Sequence, residues 1–144
     1  MGCDIHCIVE VYNKDSGEWE YLAPDGRWSF FLTKDTAYYS SIYDKRNYQL
    51  FGALAGVRGD PYDDYSTPIG WPKNMSSYAE KLIQDENYHS HSYFTLRELL
   101  EWKLWRDKKF IYSNDITDFY ISCVAEMMLL GDPDEVRLLI MFDN

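Results

Sequence analysis

This chain of 144 residues carries a formal net charge of −10, with 46% hydrophobic and 17% aromatic residues, among them 13 Tyr and 5 Trp. That apolar content excludes a disordered chain, which lacks the surface to offset backbone ordering, and the length suits one globular domain, 1–144. The acidic balance excludes a general nucleic-acid binder, which needs a basic footprint to displace counterions. It leaves a soluble protein kept apart by charge, a cation binder, or an acidic mimic of nucleic acid.

Residues 3–11 alternate as a strand does. Cys3, Ile5, Cys7, Val9 and Val11 point to one face, while Asp4, His6 and Glu10 point to the other with Ile8 among them. The polar turn "NKDSGE" then predicts a hairpin with "WEYLAP" as its second strand. "RWSFFL" reads as a third extended piece, and "TKDTAYYSSIYD" as a surface excursion. In "RNYQLFGALAGVRG", Tyr48, Phe51, Leu54 and Ala55 recur at helical spacing, Asn47 can cap the start, and Gly56 or Gly59 can end the helix. The proline-rich stretch "DPYDDYSTPIGWPKN" predicts a long irregular loop, a kind that is often functional.

A short helix over "SSYAEKLIQD" comes next, then a loop at "NYHSHSYF". In "FTLRELLEWKLW", Thr95 and Glu98 fit a capping box, and Phe94 and Leu99 fit a hydrophobic staple. "KKFIYS" predicts a strand. "NDITDFYISCVAEMMLLG" predicts a mostly buried helix ending at Gly131, with Ile116, Phe119, Cys123, Met127 and Leu130 on one face. The near-continuous apolar run Val136–Phe142 predicts a central strand. The order implies an α+β fold. Its sheet is antiparallel or mixed, includes the N- and C-terminal strands, and is packed on one side by three to four helices.

Cys3, Cys7 and Cys123 are too few for a disulfide framework. With no secretory segment at the start, they read as thiols in a reducing cytoplasm. No apolar run approaches the ~20 residues of a spanning helix. The Met-Gly start suggests N-myristoylation, but that motif needs Ser or Thr where His6 stands. A zinc knuckle from Cys3, His6 and Cys7 does not fit, because His6 points away from the two thiols and a second Cys pair is missing.

The three histidines are His6, His89 and His91. Imidazole suits both proton transfer and metal ligation. If the first strand meets the "HSHS" segment, Asp4, His6, His89 and His91 supply N and O ligands for Zn²⁺ or Mn²⁺, and Glu10 and Asp143 can add to them. Each group also has a structural reading. Asp4 can orient a buried His6, and "HSHS" can be a hydrophilic loop whose Ser92 helps to cap the next helix. Arg46 and Arg58 bracket the first helix and suit phosphate, or else they pair with nearby acids. Trp71 can stack on a base, or fill the core. No phosphate loop, dinucleotide fingerprint or nucleophile elbow is present.

Taken together, "MGCDIH" with a Glu shortly after it, "RNYQLFGALAGVRG" and its Pro-Gly-rich loop, "HSHSYFTLREL" and "VRLLIMFDN" resemble a family of small phage and prophage proteins. The resemblance implies a phage origin and a cytoplasmic role in the infected cell, and it implies no particular reaction. In that family's second motif the position of His91 is the variable one, which points to His89 rather than His91 as the essential histidine. The resulting expectation is a phage accessory protein whose Asp/His pocket binds, and can hydrolyse, a nucleotide-like phosphate compound such as a host immune signal. His6 and His89 would be metal ligands or an acid/base pair, with Asp4 orienting or ligating. Arg46 and Arg58 would hold the phosphate, with Glu10 in the pocket and Tyr48 or Trp71 stacking on the base. The alternative is a non-catalytic acidic protein that inhibits a host defence factor. Homo-oligomerisation stays open.

Overall fold

The structure, a computed structural model, describes residues 2–22, 42–58, 67–109 and 116–144, with side chains in the third stretch to Trp102. Four strands form one antiparallel sheet in the order β2-β1-β4-β3. The first two, β1 (Asp4–Asn13) and β2 (Glu18–Leu22), are the expected hairpin. Its turn is locally encoded. Asn13 Oδ1 accepts from the backbone N–H groups of Asp15 and Ser16, and Gly17 takes the left-handed φ of 70°.

The last strand, β4 (Val136–Asp143), runs between β1 and β3 (His89–Thr95), and its residues 136–142 are all buried. That position explains its unbroken apolar run, since both faces of the strand are covered. One face sets Cys3, Ile5, Cys7 and Val9 against Val136, Leu138, Ile140 and Phe142. Onto it pack Leu50, Phe51 and Leu54 of α1 (Tyr48–Ala55), Leu96 and Leu99 of α3 (Leu96–Lys109), and Phe119 and Met127 of the last helix. The second face carries Ile8, Leu139, Met141, Tyr21 and Trp71, covered by Ala79 of α2 (Ser77–Leu82). Helices therefore lie on both faces rather than one. The even-numbered face of β1, read as polar, is buried at Ile8 and Glu10 and partly exposed at Asp4, His6 and Tyr12.

The helix signals match their caps. Asn47 Oδ1 accepts from the Leu50 N–H at 3.1 Å, and Gly56 closes α1 at φ 69°. Thr95 and Glu98 form the reciprocal box, with Glu98 Oε1 accepting from Thr95 N–H at 3.0 Å and Thr95 Oγ1 from Glu98 N–H at 3.1 Å. The last helix comes in three parts: α4 (Thr117–Phe119), a π-helical turn (Tyr120–Val124) and α5 (Ala125–Met127). It stops short of Gly131.

Two readings change. The "HSHSYF" stretch is a strand, not a loop. Ser92 opposes Ile140 and His89 opposes Phe142, so three steps on β3 match two on β4. The surplus residue makes a β-bulge, and Ser90 sits in it at φ 56°, a costly value for a residue with a side chain. Lys108 and Lys109 of "KKFIYS" belong to α3, while the rest of that stretch and all of "RWSFFL" lie outside the described residues. Among the described residues no helix is long and apolar enough to cross a membrane.

Candidate functional site

Antiparallel pairing brings the start of β1 beside the end of β4. Asp4 opposes Asp143 and His6 opposes Met141, so Asp4, His6 and Asp143 share one face at the sheet's end. His6 Nε2 lies 3.1 Å from Asp143 Oδ2, a diagonal cross-strand pair with side chains 21% and 34% exposed. The Tyr88 ring stands edge-on to the imidazole at 4.9 Å. A carboxylate and an aromatic edge thus fix the orientation of a histidine whose side chain is partly exposed while its Nε2 is buried. The partner is Asp143, contributed by the far end of the chain, where Asp4 was the nearer candidate in sequence.

Asp4 is engaged elsewhere. Arg46 donates Nε to Oδ1 at 2.7 Å and Nη2 to Oδ2 at 3.3 Å. This bidentate hydrogen bond holds the Asp4 carboxyl below its ordinary range. The guanidinium also lies against Gly2, where an added Cβ would clash with it. Gly2→Ala is therefore expected to push Arg46 aside without unfolding the chain. The Asp4 titration, followed by carboxyl NMR, should move up towards the ordinary aspartate value. A titration unchanged from that of the parent would disprove the coupling.

Tyr48 and Arg58 complete the cluster. Tyr48 Oη accepts the Cys3 N–H at 3.1 Å, and the exposed Arg58 guanidinium sits 5.8 Å from the Tyr48 ring centre. The Cys3 thiol is pushed up chiefly by burial, while the charges of Arg58, Asp143, Asp4 and Arg46 all reach it. Two guanidinium groups, two carboxylates, an imidazole and a phenol thus gather around the first residues of β1.

The other expected members lie apart. His89 opposes Phe142, and consecutive residues of β4 face opposite ways, so His6 and His89 project from opposite faces of the sheet. The bulge is what turns His89 to the α1 side. There its Nδ1 lies 2.9 Å from Ser90 Oγ, and its buried Nε2 has no hydrogen-bond partner among the described residues. His91 stands edge-on to Trp71 at 5.0 Å, and burial, followed by the charge of His89, lowers its pKa. Trp71 is buried and donates Nε1–H to the Ile140 carbonyl at 2.9 Å, so its ring is core. Glu10 is fully buried, held by Arg137 Nε at 2.7 Å and by the Ser76 N–H at 2.7 Å.

The expected metal ligands Asp4, His6, His89 and His91 are not brought together. Among the described residues no three His, Cys, Asp or Glu side chains converge as ligands. Arg46 occupies both oxygens of Asp4, Asp143 faces His6 Nε2, and His89 is on the other face.

The sequence reading missed Tyr88 and Arg137. Arg137 had a signal, as the one charge inside the apolar run of the last strand. Comparison with protein-family models, curated proteins and solved structures returned no match.

Proposed function

We propose that the end of the sheet binds a small phosphate-bearing, nucleotide-like molecule, and that His6, oriented by Asp143, moves a proton during its hydrolysis. The observation that supports this is the pairing of Arg46 with Asp4 and of His6 with Asp143 at one partly exposed sheet end, with Tyr48 and Arg58 beside Cys3 on the α1 side. A guanidinium has five N–H donors. Asp4 uses two of those on Arg46, which leaves donors for a phosphate, and Arg58 adds a second cation beside a phenol ring suited to stacking. An imidazole paired with a carboxylate can accept a proton from water, with the resulting imidazolium stabilised by Asp143. A phage protein of this kind would act on a host nucleotide signal in the cytoplasm.

Isothermal titration against mononucleotides, cyclic dinucleotides and free nucleosides tests binding, with chromatography of the products to test turnover. Phosphorylated ligands should bind and nucleosides should not. Arg58→Ala should weaken binding roughly ten- to hundredfold, the range for a lost hydrogen bond to a charged group. His6→Ala should bind but not turn over. No nucleotide binding across the panel would sink the reading, and turnover surviving His6→Ala would remove the hydrolytic half of it.

A further inference from the structure

The last helix and the turn after it expose an apolar stripe that the small-molecule reading does not use. Ile121, Met128 and Leu129 are 68%, 54% and 85% exposed, and Ala125 is exposed between them. Ile121 and Ala125 lie four residues apart on the helix, and Met128 and Leu129 follow in the turn after Met127, exposed where Phe119, Cys123 and Met127 are buried. Scattered apolar residues on a surface need no explanation, but a contiguous stripe of large ones does. Its rim is acidic. Asp118 lies one turn before Ile121, Glu126 lies within the stripe, and Asp132 follows it, all three exposed. Among the described residues Lys45 pairs with Asp118 here, at 2.9 Å.

We infer that this face docks a basic amphipathic helix of another protein, its apolar side on the stripe and its Lys or Arg residues over the acidic rim. A second copy of the chain fits worse. It would bring its own net charge of −10 and set one acidic rim against another. A single partner helix needs only such a face, read through anchors at helical spacing.

The probe is a fluorescent amphipathic Leu/Lys helical peptide, with its Leu/Glu counterpart as control, followed by anisotropy on the full chain at low and moderate salt. The Leu/Lys peptide should bind and the Leu/Glu peptide should not. Ile121→Ser with Leu129→Ser should weaken binding at least about tenfold, as truncating interface anchors does. Glu126→Lys with Asp132→Lys should weaken it more than Glu18→Lys with Glu86→Lys, which changes net charge equally but away from the stripe. If the serine pair does not fold, Leu129→Lys alone makes the same comparison. Binding that the stripe substitutions leave unchanged would overturn the inference, because attraction to overall charge would explain it. No binding at all would also overturn it. So would a sedimenting dimer that the serine pair dissolves, since the face would then belong to a second copy.

Discussion

Arg137→Met is expected to cost about 3–5 kcal/mol, the range for breaking one partner of a buried ion pair. Glu10 and Arg137 face each other across β1 and β4, with side chains 0% and 4% exposed. The guanidinium gives Nε to Glu10 at 2.7 Å, Nη1 to the Asn74 side chain at 3.0 Å and Nη2 to the Asn74 carbonyl at 3.2 Å, and its carbon lies 3.9 Å from the Trp19 ring centre. Removing it strands a carboxylate in the interior with the Ser76 N–H as its remaining partner. That one bond falls well short of the desolvation cost of a charge. The double substitution Glu10→Met with Arg137→Met should recover most of the loss, because the two desolvation costs vanish together. Urea unfolding of the parent, both single variants and the double variant measures this as a cycle. Equal losses in the single and double variants would show that the pair holds the chain through Asn74 and Trp19, not through Glu10.

Phe142→Ala is the second large effect, about 3–5 kcal/mol for deleting a fully buried aromatic ring. Phe142 is completely buried in β4, flanked in register by Ile5 on one side and His89 on the other. It meets Phe51 of α1 nearly edge-on at 5.2 Å. Truncation leaves a cavity where three elements converge, and the neighbouring strands can close over it only by shifting the sheet. Phe142→Leu keeps most of the volume and should cost under about 1.5 kcal/mol. Because Asp143 follows directly, the alanine variant should also loosen the His6–Asp143 pair, read as a broadened His6 ring signal in the NMR spectrum. A loss below 1 kcal/mol on thermal and urea unfolding, flagged against the ~3 kcal/mol minimum for such sites, would mean that the site collapses freely.

What the sequence made legible was whatever is decided within one turn or one strand. The strand β1, the Asn13–Gly17 turn, the Asn47 cap and the Thr95–Glu98 box are all local physics, and each is present, though the expected polar face of β1 is buried at Ile8 and Glu10. The apolar run of β4 announced its central place for the same reason. Partners were not legible. Asp4, His6 and Glu10 looked alike on one strand face, yet Asp4 meets Arg46, His6 meets Asp143 and Glu10 meets Arg137. Those choices depend on the register of β1 on β4, which spans nearly the whole chain. The single extra residue at Ser90 escaped notice because bulges carry no strong composition signal, and it decides which way His89 faces.

The central place of β4 also has a consequence in time. β1 can form its hairpin with β2 early, through a turn of a few residues. Its other edge, and the inner edge of β3, have no partner until the last strand arrives between them. Closing so long a loop comes before the contacts that reward it, which makes this a slow-folding topology for its size. Until that step, Ile5, Cys7 and Ile8 stand on an open strand edge, the state in which such chains pair wrongly with one another. The net charge of −10 then has a second use, keeping unfinished copies apart while the sheet waits for its middle strand.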